Sequence, residues 1–597
     1  MTLEGLIVRA SDALPRGWIE LGSRRDAEAQ REPVHFARQQ CVSADRRSRP
    51  PSFRIPPSAS LRLCAKFRST SPTVAAWTIA AALLIAAPAQ AMPPGEDGRA
   101  LRRAAEQLTE VRVEEAERTL DRLAREHPDD ADVRFERAMV RFYRGDYSGA
   151  VSDLDAAGDR GLLRAPEDRE SLAALIRATH EATRELETAR SPDGRYIVRH
   201  APGPDAVLVP YAFEAMAAAD RAIGAELGVR VPGPIRLEIY PSAASLAAVS
   251  TLTVREIETT GTIALCKWDR LMITTPRALV RGYPWMDTIG HELVHLFLSR
   301  ASRDRAPVWL QEGVAKFLER RWRGEAPTAN LDPAADGLLH RAVRGNTLLP
   351  FDRLHPSIAR LPSQEDAALA FAQVATFVEL FYREHGADGL RRAIGLIAGG
   401  TDAREALAEV AGGSFDALEG RWRRALTVRP EPPADPPRVL GLRLRHGEGP
   451  VDESGEVEGE SARRHLRLGD LLWDRGRARA ASFEYGRAHE AAPDDPIVAS
   501  RYARAALAGG QPEAAVRALE RARERYPDHA PTWAVSGSAW LATGDLPRAR
   551  DALREAIRIN PFEPQPHCDL AEAAEAEAER AVERQSCRDL GGGPRSR

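Results

Sequence analysis

The runs Gly290-His291-Glu292-Leu293-Val294-His295 and Trp309-Leu310-Gln311-Glu312-Gly313-Val314-Ala315 decide how the rest of the sequence is read. On a helix, side chains four residues apart stack on one face about 6 Å apart along the axis, so His291 and His295 both reach one ion. Zinc that does chemistry needs a third protein ligand and an open fourth position. Glu312, on a second helical segment, is placed to be that ligand. Glu292 lies beside the first histidine rather than on the ligand face, where a carboxylate takes a proton from an activated water. Pro284 suits a first helical turn, and Ile289, Leu293, Val294, Leu296, Phe297 and Leu298 make the segment a buried helix.

Upstream of this helix the periodicity changes. Tyr196 to His200 and Ile235 to Tyr240 alternate as strands, with a helix from Pro204 to Leu227 between them. A short helix covers Ala243 to Val249, and Gly261 to Thr275 holds two further strand pieces, Thr262 to Cys266 and Arg270 to Thr274. Downstream, amphipathic helices are expected over Glu365 to His385, Ala387 to Ala398, Asp402 to Val410 and Ala417 to Leu426, forming a helical subdomain.

This order of strands and helices, ending in H-E-L-V-H and W-L-Q-E-G-V-A, resembles the gluzincin metallopeptidases, especially the bacterial peptidase-MA-like domains. The resemblance extends over about residues 192 to 428. It implies His291, His295 and Glu312 as zinc ligands, Glu292 as general base, and Trp309 as a packing residue that positions the Glu312 helix. Gly313 and Ala315 fit two helices that share an ion and so approach closely. A G-A-M-E-N-type motif is missing ahead of the metal helix, which favours an endopeptidase over an aminopeptidase. Where thermolysin-like enzymes place an acid after the third ligand, this chain has Lys316; Asp287, another carboxylate or a backbone carbonyl must then orient the histidine ligand. Phe371 stands where many relatives carry a tyrosine, leaving Tyr382, His340 and His385 as substitutes for stabilising an oxyanion.

Repeats flank this middle segment. Gly476, Gly510 and Gly544 are 34 residues apart, as are Pro493, Pro527 and Pro561, and Ala481, Ala515 and Ala549. Pro128 precedes Gly145 by the same 17 residues that separate Pro493 from Gly510. The pattern resembles the tetratricopeptide repeat (TPR), whose helix-turn-helix units have this length. The resemblance covers residues 99 to about 158 and 463 to about 580. It implies stacked helix pairs that bind a peptide or protein partner, or that brace the neighbouring domain.

Arg62, Lys66 and Arg68 precede an apolar run from Val74 that ends in Ala89-Gln90-Ala91, a secretory signal pattern with a small-x-small cleavage site. Cleavage there gives an exported, periplasmic or secreted chain starting near Met92; the alternative is an uncleaved membrane anchor. Cys568 and Cys587 are candidates to pair in an oxidising compartment, and Cys266 reads as a core residue. A formal net charge of −3 offers no basic field for nucleic acid.

The expected fold class is α+β: a mainly helical chain with a small-sheet zincin-like metallopeptidase domain between TPR-like α-solenoid segments. The expected boundaries are a disordered extension or mis-assigned start over 1–68, a signal peptide over 69–91 and an N-terminal TPR-like region over 99–190. The metallopeptidase domain follows over 191–428, a linker over 429–462 that is mostly flexible with a short apolar break at Val439 to Leu444, C-terminal TPR repeats over 463–583 and a disordered tail over 584–597. The expected function is zinc-dependent hydrolysis of peptide bonds in a peptide or protein substrate; the alternative is an inactive peptidase-like TPR scaffold in the cell envelope.

Overall fold

In the computed structural model, residues 95–593 are described, apart from 355–357, 433–434, 448 and 450. The expected N-terminal extension and signal segment lie outside the described residues. Five helices come first: α1 (Glu96–Thr109), α2 (Val113–Glu126), α3 (Ala131–Arg144), α4 (Tyr147–Ala157) and α5 (Pro166–Thr183). Gly145 ends α3 in the left-handed conformation at φ 75°, which a residue without Cβ adopts at no steric cost. Asp146 then caps α4 by accepting from the Gly149 amide.

The central sheet has the order β1-β2-β3-β5-β4, built from β1 (Glu187–Arg190), β2 (Tyr196–His200), β3 (Ile235–Tyr240), β4 (Ala264–Lys267) and β5 (Arg270–Thr274). Strands β2, β3 and β5 run parallel and need crossovers, supplied by α6 (Leu208–Leu227) and by the short α7 (Ala243–Ala248) and α8 (Val254–Thr260). The outer strands β1 and β4 are antiparallel to their neighbours. Strand β1 falls inside the segment expected to be helical. Its sequence, Glu-Thr-Ala-Arg, carries no apolar alternation because it is an exposed edge.

Side chains of β3 alternate between two buried faces. Ile235, Leu237 and Ile239 enter the same core as the metal-motif helix α9 (Trp285–Ser302). On the other face Tyr240 joins Met272 and the N-terminal helices in a second core. Polar residues on β3 therefore mark a domain contact rather than solvent, and all six residues of the strand are buried. Glu238 and Arg270 are both fully buried and paired at 3.0 Å, with Tyr147 of α4 bonded to each. Of the two expected roles for the N-terminal repeats, bracing the domain is the one these contacts carry.

Helix α10 (Val308–Leu318) follows α9, then α11 (Pro333–Gly345), α12 (Gln364–Ala398), α13 (Ala403–Ala411) and α14 (Phe415–Thr427). Gly386, at φ 65°, breaks α12 where the sequence places a boundary between two helices. The C-terminal repeats pair α15 (Glu460–Asp474) with α16 (Ala478–Ala491), α17 (Pro496–Ala508) with α18 (Pro512–Arg525), and α19 (Ala530–Thr543) with α20 (Leu546–Ile559). Helices α21 (Pro564–Ala573) and α22 (Glu577–Asp589) close the chain.

Two expectations need correction. The first concerns 429–462, most of which is expected to be flexible around a short apolar break at Val439 to Leu444: beyond that break Arg445 N donates to Ala278 O, and Glu453 and Glu456 each pair with Arg281 at 2.9 Å. The second concerns the tail, expected to be disordered from 584. Helix α22 continues to Asp589, because Cys587 is buried and bonded to Cys568 of α21.

Candidate metal centre

Helix α9 is buried on most of its surface, and the four-residue spacing brings His291 and His295 to one face. Their Nε2 atoms lie 3.2 Å apart. Glu312 Oε2, from α10, is 3.2 Å from the first and 3.3 Å from the second. Ligands at zinc bond lengths of 2.0–2.1 Å in a tetrahedron are separated by about 3.3 Å. The three atoms thus already form one face of such a tetrahedron.

Electrostatics favour a cation at this point. Burial works against charge on His291, but its contacts with Glu312 and Glu319 outweigh burial and lift its pKa to about 10. Burial also opposes charge on Glu312, yet His295 and His291 hold its carboxyl well below the usual range. Glu292 is only 4% exposed, and its Oε2 has no hydrogen-bond partner among the described residues. An orphaned buried carboxylate oxygen beside two imidazoles and a carboxylate fits a site built to hold a metal and work on a proton. A second cluster, Asp97, Glu126 and His127, has side chains 37–48% exposed, and its carboxylates are already paired with Arg122.

The group behind His291 is another carboxylate. Asp287 is not it: that carboxylate accepts from Trp322 Nε1 at 2.9 Å and from Arg323 at 2.7 and 2.6 Å. Instead Glu319 Oε2 lies 3.4 Å from His291 Nδ1, while its other oxygen accepts from Lys316 Nζ at 2.6 Å. Glu319 stands two helical turns beyond Glu312, on the same side of the chain, and Lys316 stands between them. The i, i+4, i+7 spacing in the sequence was the available signal.

Trp309 has the expected packing role, set edge-on to Phe351, Phe377 and Phe415. Gly313 serves a different neighbour from the one expected: a Cβ there would lie 2.8 Å from Val374 O of α12. On the side facing α9, Gly290 has that function, since its Cβ would meet Glu319 O at 2.4 Å. Phe371 lies against His291 with ring centroids 6.2 Å apart, so no hydroxyl occupies that position. The suggested substitutes are engaged elsewhere. Tyr382 donates to Glu226, His340 contacts Arg344 and Glu431, and His385 packs on Phe381 beside Glu384. Cys266 is a free thiol whose side chain packs on the main core, and burial pushes its pKa well up, as suits a core residue.

A small sheet leading into a buried helix with this ligand triangle defines a metallopeptidase-like domain. Residues 216–428 match the family model of the Peptidase MA superfamily, and residues 101–161 and 501–564 match that of the tetratricopeptide repeat. The chain thus carries a Peptidase MA superfamily domain flanked by TPR repeats. No curated protein matches the sequence. Among solved structures, a TPR protein of Thermus thermophilus is 26% identical over 22% of this chain and 72% of its own, with a TM-score of 0.20. MamA is 18% identical over 23% and 79%, with a TM-score of 0.20. The first TPR domain of human RPAP3 is 17% identical over 21% and 97%, with a TM-score of 0.19.

Proposed function

We propose that the chain is a zinc-dependent peptidase that hydrolyses peptide bonds within a peptide or protein substrate. The observation that carries this reading is the convergence of His291, His295 and Glu312 on one point beside the unpartnered buried oxygen of Glu292. Two imidazoles and a carboxylate would hold the ion, a donor set that suits zinc. Bound there, zinc would lower the pKa of a coordinated water and polarise the scissile carbonyl.

The chain's own residues supply the rest. Glu292 takes the proton of the attacking water on its carboxylate and returns it to the leaving nitrogen. Its burial raises its proton affinity, which suits a group that must take up a proton and release it. Glu319 fixes the ring of His291 so that Nε2 faces Glu312 and His295, the residues that with it would hold the ion. Strand β4 ends the sheet and packs beside α9, so its free backbone edge is the place for an extended substrate to pair.

The Cys568–Cys587 disulfide supports an exported setting. No helix among the described residues is long and apolar enough to cross a membrane. Phe371 favours the second reading, a peptidase-like TPR scaffold without turnover. Chelation separates the two: cleavage of an unbiased peptide mixture that disappears with a zinc chelator and returns with added zinc supports the enzyme. Stoichiometric zinc without cleavage supports the scaffold.

A further inference from the structure

The connection between α14 and α15 behaves as a ligand of the C-terminal repeats. Its acidic stretch reads Asp452-Glu453-Ser454-Gly455-Glu456-Val457-Glu458. Arg467 on α15 and Arg501 on α17 stand 34 residues apart, at the same position of successive repeats. Arg467 Nε donates to Ser454 Oγ at 2.6 Å and lies 3.7 Å from Asp452. Arg501 Nη2 donates to Glu453 Oε2 at 2.8 Å. Val457 is buried with Ala462, Leu466 and Tyr485 in the core of the first C-terminal repeat.

The same carboxylates reach the metallopeptidase domain. Arg281, four residues ahead of α9, contacts Glu453 Oε1 and Glu456 Oε2, each at 2.9 Å. Arg443 takes the other Glu456 oxygen at 2.8 Å. Glu453 is therefore clamped between an arginine of the domain and an arginine of the repeats, with side-chain exposures of 10%, 9% and 23% for Glu453, Arg281 and Arg501. Burial, together with Arg281 and Arg501, pushes the neighbouring His529 well below its ordinary pKa, so the imidazole adds no charge. Removing Glu453 would leave Arg281 with Glu456 and Arg501 with only the more exposed Asp470, 3.4 Å from its Nε, so each arginine would lose one of its two acidic partners in a largely desolvated place, and a carboxylate is the group that restores them. The site consequently selects for acid.

We propose that the face presented by the first helices of the C-terminal repeats is a receptor for acidic peptide segments, and that Asp452–Glu458 fills it in cis. An acidic segment of another protein would bind by displacing this strap. Displacement would free Arg281 and loosen the backbone bonds of Arg443 and Arg445 to Val280 and Ala278, in the segment that leads into the metal helix.

The probe is a fluorescent peptide of the chain's own residues 451–458, Val-Asp-Glu-Ser-Gly-Glu-Val-Glu, added to the full chain. Glu453→Gln with Glu456→Gln weakens the internal competitor, so this variant should bind the probe at least tenfold more tightly than wild type. Adding Arg501→Gln should remove that gain, and a probe with glutamine and asparagine in place of its acids should not bind. Equal affinity of wild type and the strap variant, or a gain that survives Arg501→Gln, would overturn the proposal. Strap variants that self-associate would also overturn it, in favour of strap exchange between copies. Hydrogen exchange on wild type gives a check without substitution: millimolar probe should speed exchange of amides 452–458, and unchanged exchange counts against displacement.

Discussion

At the scale of single residues, the geometry of the His291, His295 and Glu312 triangle depends on what stands behind His291. His291 is oriented by Glu319 at 3.4 Å, and Glu319 is held by Lys316. Lys316 removes the acid expected one turn after Glu312, and Glu319 restores it a turn later. Replacing Glu319 with Gln keeps the shape but loses the charge that holds the His291 ring. Zinc affinity, read by competition with a chromophoric chelator, should fall about 10–100-fold; an unchanged affinity would assign Glu319 to packing alone. The closeness of His291 and His295 was legible in the sequence because both sit on one helix at the helical repeat. The orienting group was legible only in part: the spacing from Glu312 puts Glu319 on the same helix face, but which carboxylate meets His291 is chosen by how the end of α10 meets α9 in space. Asp287 was a reasonable candidate on spacing, but Trp322 and Arg323 occupy it.

At the scale of elements, close packing of three helices fixes the ligand triangle. Gly290 lets the end of α10 approach α9, and Gly313 lets α12 approach α10. A methyl group at 313 would press on Val374 O, which is backbone and cannot swing away. Gly313→Ala should therefore lower stability by about 1–3 kcal/mol, with zinc affinity falling as α10 shifts. Equal melting temperatures for the two proteins would show that α12 yields at this contact. Strands β2, β3 and β5 were readable from period-2 alternation. Edge strand β1 was not, because an exposed four-residue strand of charged and small residues has no apolar face to declare itself. The strap at 452–458 was hidden for a related reason. Glycine, proline and acid read as a flexible connection, and its partners Arg281, Arg467 and Arg501 lie far away in sequence.

At the scale of the whole molecule, the repeats are part of the peptidase fold. On the N-terminal side the contact is the buried Glu238–Arg270 pair with Tyr147. On the C-terminal side, Tyr283 N and Trp285 Nε1 donate to Ile559 O and Ile557 O, and Tyr211 donates to Glu583. Burial works against the Glu238 carboxylate, but Arg270 and Arg199 outweigh it and hold its pKa below the ordinary value. Glu238→Gln leaves Arg270 without its counter-charge and should cost about 3–5 kcal/mol in denaturant unfolding at neutral pH. A carboxylate with a depressed folded pKa contributes stability above the unfolded value of about 4.3 and loses it as pH falls through the folded one. The gap between wild type and variant should accordingly narrow below about pH 4. A cost under about 1 kcal/mol at neutral pH would mean that the pair is not what ties the repeats to the sheet. The repeat periods were visible in sequence, but their docking was not, because β3 shows polar residues that equally describe a solvent-facing strand.

The measurement that bears most directly on the central claim pairs metal content with peptide cleavage for wild type and Glu292→Gln. The variant should retain one zinc per chain and lose about 10²–10⁴-fold in cleavage rate, the range of a general base. Unchanged cleavage in Glu292→Gln, or no zinc bound by wild type, would contradict the account.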